Sequence, residues 1–141
     1  MIQRILRVNK YAAEVLDFLT QGLTLENPSR KIDNNPPNSG IMAVDVDWIG
    51  HIQEGDIFAV SHSYVQNGDV MMDPEMEFLK EQDGHTFWYY PLSFRQDGLG
   101  VHRHGVEYGE KITVIHTREQ ADETTFATLW MKNIKQQQKL G

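Results

Sequence analysis

Three dipeptides, Asn67-Gly68, Asp83-Gly84 and Asp97-Gly98, punctuate one stretch of this chain at intervals of sixteen and fourteen residues. Asn-Gly and Asp-Gly suit the two-residue hairpin turn, whose central positions take positive φ, a conformation that costs Gly little and that Asn and Asp tolerate. Apolar residues flank Asn67-Gly68 on both sides. Strands joined this tightly must lie antiparallel and side by side, so three such turns in a row predict a meander.

The turns also set a trial register. Centring the first on Asn67-Gly68 pairs Val65 with Val70, Tyr64 with Met71 and His62 with Asp73. Side chains alternate along a strand, so one face carries Ile57, Ala59, Val65, Val70, Met72, Met76 and Phe78. The other carries Phe58, Val60, His62, Tyr64, Met71, Asp73, Glu75 and Glu77. Centring the second on Asp83-Gly84 pairs Leu79 with Trp88, Glu77 with Tyr90 and Glu75 with Leu92. The carboxylate face then continues into Trp88, Tyr90, Leu92 and Phe94. The third turn sends the chain back through Val101 and Arg103. Pro74 lacks an N–H for the ladder and marks an edge, a bulge or a break. A slip of one residue there would exchange the faces.

The rest of the chain frames this sheet. Asn9 reads as an N-cap for a helix over roughly 9–21, with Tyr11, Ala12, Val15, Leu16 and Leu19 at helical spacing and Gly22 at the C′ position. Residues 23–40 are rich in Asn, Pro and Gly and read as a loop with a short extended piece at 30–33. Met42, Val44, Val46 and Trp48 alternate with Asp45 and Asp47, a half-buried strand with solvated aspartates. Residues 50–56 form a loop, 105–110 a turn and 111–117 a last strand. Thr117 with Gln120 resembles a capping box for a final helix whose stripe is Phe126, Leu129, Trp130 and Ile134. The tail from about 136 to 141 is expected to fray. The predicted fold is α+β, one domain over 1–141: a helix, a five- to six-stranded antiparallel meander, and a helix, with both helices on one sheet face.

Composition limits the function. The net charge is −7, and residues 45–83 hold ten of the twenty acids with one base, Lys80. Such a centre repels nucleic acid and suits a basic partner, a cation or plain solubility. The chain has no cysteine, which excludes disulfides and thiolate metal sites and accords with a cytoplasmic setting. No apolar run reaches the length of a membrane span, and the terminus MIQRILRVNK lacks the continuous apolar core of a signal peptide. Phosphate-binding glycine loops, G-x-S-x-G and H-E-x-x-H are absent.

Within the trial register, Asp73, Glu75 and Glu77 lie beside His62, Tyr64, Trp88 and Tyr90. A solvated face would carry fewer aromatics, and a core would not carry three carboxylates. The mixture suits a groove or an interface. His62, Asp73 and Glu75, with Asp69 beside them, are also candidate ligands for a divalent metal, while a structural His62–Asp73 hydrogen bond accounts for the same residues. His102-x-His104 is a weak metal pair placed opposite Asp73. Arg95 and Arg103 are placed to hold an anion or to pair with the carboxylates.

The strings His62-Ser-Tyr64, NGDVMMDPEMEF (67–78) and WYYPLSFRQDGLG (88–100) together resemble a family of uncharacterised small proteins and domains carried on bacterial plasmids, phages and conjugative elements. The resemblance spans roughly residues 40–104, through His62, Tyr64, Asn67, Gly68, Asp69, Asp73, Pro74, Glu75, Pro91, Asp97 and Gly100. It implies a bacterial, cytoplasmic accessory protein of a mobile element, and no established activity. The expected function is a binding module whose acidic-aromatic face takes a protein partner or a second copy. The alternative is a metal-dependent hydrolase or nuclease-like enzyme using His62, Asp73 and Glu75.

Overall fold

The computed structural model describes residues 5–141, and the first four residues, part of the amino-terminal segment considered above, lie outside it. Helix α1, Lys10–Thr20, begins where expected: the Asn9 side chain accepts a hydrogen bond from the Ala12 N–H at 2.9 Å. It ends at Thr20 with Gln21 as C-cap, and the chain turns away at Gly22, whose φ of 74° is the left-handed conformation that glycine takes without strain. Ala12, Val15, Leu16 and Leu19 are buried, whereas Tyr11 is on the exposed side.

Six antiparallel strands follow in simple sequence order: β1 Ser29–Ile32, β2 Val44–Ile52, β3 Gly55–Gln66, β4 Asp69–Asp83, β5 Thr86–Gln96 and β6 Val101–His104. The meander predicted from the turn dipeptides is therefore the observed topology. A further strand pair, β7 Val106–Tyr108 and β8 Ile112–Ile115, forms a separate ribbon where a turn and a lone strand were expected. Helix α2, Thr117–Gln137, closes the chain. Thr117 is its first residue and His116 occupies the N-cap without a side-chain cap bond. Gln120 does not close a capping box. It bonds instead to both backbone groups of Leu6 and to the Pro91 carbonyl. The tail is not frayed from 136: Gln138 is fully buried and tied to Asn34 and to the Met42 carbonyl.

The register departs from the trial one at three places, and this decides the faces. Val65↔Val70 and Tyr64↔Met71 pair as expected. His62 and Asp73 do not pair. The ladder runs Ser63↔Met72 and then Ser61↔Glu75, so Asp73 and Pro74 together oppose His62 as a bulge. Beyond it every β4 residue is displaced by one: Val60 faces Met76 and Phe58 faces Phe78. The second turn is centred one residue later than predicted, since Asp83 pairs with Thr86, and Leu79 faces Tyr90 rather than Trp88. A bulge at Leu92 then brings Glu77 opposite Ser93 and Glu75 opposite Arg95.

As a result both helices pack on the face carrying Val44, Val46, Phe58, Val60, Met76, Phe78 and Tyr89, through Leu16, Leu19, Trp130, Met131 and Ile134. One half of the opposite face is covered by the ribbon, where Val106, Tyr108, Ile112 and Ile115 meet Ile52, Ile57, Leu79, Tyr90 and Leu92. Among the described residues, no element packs over the other half.

Candidate functional site: the open half of the sheet

Alternation places two polar rows on the uncovered half. One runs Lys31, Asp45, Ser61, Glu75, Arg95, His102 through successive cross-strand pairs from β1 to β6. The other runs Ser29, Asp47, Ala59, Glu77, Ser93, His104 by the same pairings. Four carboxylates lie at the centre with Lys31 and Arg95 among them. Beside β1 and β2 the surface dips into an open groove of about 340 Å³ that includes Ser29, Lys31, Asp45, Asp47, Ser61 and Ser63.

Local bonds hold these groups. The Ser29 hydroxyl donates to Asp47 at 2.6 Å and the Ser63 hydroxyl to Asp45 at 3.2 Å. Tyr108 of the ribbon donates to Glu77 at 2.8 Å, which fixes that carboxylate at the border of the covered half. Arg95 donates to Asp97 at 2.7 and 3.2 Å, and Asp97 also accepts the Met72 N–H at 2.8 Å, so the turn Asp97–Leu99 is clamped to β4. Glu75 sits amid the row. Burial raises its pKa above the ordinary glutamate value; Arg95 opposes the rise, and Glu77, Asp47 and Asp97 add to it. A half-buried carboxyl crowded by like charge attracts a proton or an external cation.

The structure distributes the residues singled out in the sequence over several places. Glu75 and Glu77 lie on the open face. His62 lies on the other, 5.5 Å from Trp130 edge to face, and burial lowers its pKa against the pull of Asp45 and Asp73. Tyr64, two residues along β3, lies on the same face as His62. Its hydroxyl and the Asp73 carboxylate both crowd Gly98, where a Cβ would come within 3.2 Å of each. Asp69 is exposed beside the Asn67-Gly68 turn. Trp88 is half-buried with the Arg7 guanidinium 3.3 Å above its ring. Tyr90 is buried and donates to Glu81. Arg103 projects on the helix side of the sheet. The aromatic and acidic members therefore do not share one surface. His62 and Glu75 point to opposite sides of the sheet, so the proposed metal triad does not converge, and among the described residues no group of three His, Asp or Glu is arranged to hold an ion. His102 and His104, with rings 4.5 Å apart, stand at the end of the two polar rows.

Asp45 and Asp47, expected to be solvated, stand with Ser61 in the polar rows. Their alternation with Val44, Val46 and Val60 was visible in the sequence. What was missing was the register that puts them beside Glu75.

A family model matches residues 3–140, nearly the whole chain. The chain belongs to the DUF6908 family, described as a domain of unknown function. No curated protein and no solved structure matches it. The open face of this DUF6908 domain is thus read from its own chemistry. No helix among its described residues is long and apolar enough to cross a membrane.

Proposed function

We propose that this chain is a binding module that holds a basic segment of a protein partner on the open half of its sheet. The observation that carries this reading is the pair of cross-strand rows, with Asp45, Asp47, Glu75 and Glu77 gathered on a surface that no element of the described residues covers. Sheets that bury one face commonly leave the other wet. Here the wet face gathers carboxylates and contains a groove. Electrostatic complementarity favours a cationic partner, and it disfavours nucleic acid and the face-to-face apposition of two copies. The resemblance of the central strings supports a cytoplasmic accessory role on a bacterial mobile element.

The test uses a hexa-arginine peptide followed by NMR on the full chain. Perturbations are expected at residues 45–47, 61–63, 75–77 and 93–95. Asp47→Asn with Glu75→Gln should weaken binding about tenfold, on the scale of 1.4 kcal/mol. Glu26→Gln with Asp83→Asn removes the same charge elsewhere and should change it less than about twofold. Equal losses from both pairs would show attraction to net charge alone and overturn the reading. Sedimentation at rising concentration would detect a second copy instead.

A further inference from the structure

On the helix side of the sheet, α2 and the β5–β6 edge border an open cavity of about 190 Å³ between Phe94, Arg103, Glu119, Asp122, Glu123 and Phe126. Glu123 is its buried member, 3 % exposed. Neither of its carboxylate oxygens makes a hydrogen bond of good geometry. The Gly105 N–H lowers its pKa but only partly offsets the burial. Gly105 is pressed against it: a Cβ there would lie 2.6 Å from Glu123 Oε1 and 2.8 Å from the Gln120 Cα. A buried carboxyl without a partner is costly unless something supplies one. The cavity it lines also has two aromatic walls, Phe94 and Phe126, with ring centroids 5.0 Å apart.

We propose that this cavity binds an organic cation, an alkylammonium or alkylguanidinium head, which pairs with Glu123 and lies against the rings of Phe94 and Phe126. Three carboxyls, Glu119, Asp122 and Glu123, line the cavity with one guanidinium, Arg103, so its charge balance admits a further cation. The rings favour a cation with an apolar stem over a hydrated metal ion, for which they offer no ligand. This site lies across the sheet from the open polar face and stands independently of the function proposed for that face.

The site carries a pH signature. Burial pushes the Glu123 pKa up to about 7; Glu119 and Asp122 add to the rise, and the Gly105 N–H and Arg103 oppose it. Only the ionised carboxylate pairs with a cation. Affinity therefore rises with pH up to about 7 and levels off above it.

The experiment is an NMR titration of the full chain, ¹³C-labelled at glutamate carboxyls, with n-butylammonium chloride and n-butylguanidinium chloride against matched sodium chloride. Saturable shifts confined to Phe94, Gly105, Glu123 and Phe126 are expected, together with a fall in the Glu123 pKa. Glu123→Gln should weaken binding at least tenfold, and Glu119→Gln less than threefold. A parallel titration with N-acetyl-lysine methylamide separates the two sources of such a head. Binding of this compound identifies a protein side chain as the occupant, and binding of the free amines alone identifies a small metabolite. Shifts no larger than those from sodium chloride would overturn the proposal, as would unchanged binding to Glu123→Gln. If that variant fails to fold, the wild-type Glu123 carboxyl resonance still decides.

Discussion

Two buried titratable residues set opposite pH limits on stability. The Glu123 carboxyl is pushed up to about 7 from the usual 4.5. The folded protein therefore holds a proton there that the unfolded chain has already released, and stability falls as pH rises from about 4.5 to about 7. His62 is shifted below the usual 6.5. The unfolded chain takes up its proton first, so stability falls as pH drops below 6.5. Glu123→Gln should accordingly be more stable than the native chain at pH 8, by about 1–3 kcal/mol, and about equal to it at pH 4.5. Thermal unfolding at the two pH values checks this. Gly105→Ala should cost about 1–3 kcal/mol, because its Cβ meets the Gln120 Cα, backbone that cannot rotate away. Denaturant titration measures that loss. Glu123 was legible only in part. Gln120, Ala127, Trp130 and Ile134 mark the buried stripe of α2, and Glu123 falls within it. Of the expected apolar stripe Phe126, Leu129, Trp130 and Ile134, Trp130 and Ile134 are buried and Phe126 packs against the core, while Leu129 is 57 % exposed.

The decisive element is the β3–β4 hairpin. Its turn was correctly placed because Asn67-Gly68 is a local signal: Asn67 and Gly68 take φ of 53° and 85° as that turn requires. Its outer pairs followed. The inner pairs did not, because the bulge opposite His62 inserts one residue and exchanges the faces of β4 from Glu75 onward. Pro74 marked the place without giving the direction. The outcome is set by burial: the slip brings Met76 and Phe78 beneath the helices with Val60 and Phe58 and leaves Glu75 and Glu77 outside. Met76→Ala should therefore cost about 2–5 kcal/mol. Glu75→Ala should fall within about 0.5 kcal/mol of the native protein or exceed it in stability. Chemical denaturation of the pair would reverse that order if the trial register held on β4.

For the whole molecule, the arrangement of covers matters more than net charge. Two helices take one face, the β7–β8 ribbon takes half of the other, and the carboxylate rows occupy what is left. If that surface receives a basic segment, binding should weaken steadily with ionic strength. Between 50 and 300 mM salt the affinity for a hexa-arginine peptide should fall about tenfold or more, because exposed charges are screened within about a Debye length. Isothermal titration over that range measures it, and an affinity indifferent to salt would place the contact on apolar surface instead.

By itself the sequence determined the connectivity of this protein: an Asn-capped helix, a meander broken at Gly-containing turns, a closing helix, and an acidic middle. These follow from interactions between residues a few positions apart, such as turn dihedrals, capping and alternation. The tertiary structure decided which side of each strand was inward. That choice rests on bulges opposite His62 and at Leu92, and no single strand's pattern fixes a bulge. It is set when the helices and the ribbon bury the apolar side chains, which leaves Glu75 and Glu77 on the open half, takes His62 and Tyr90 from the surface, and sets Glu123 against Gly105.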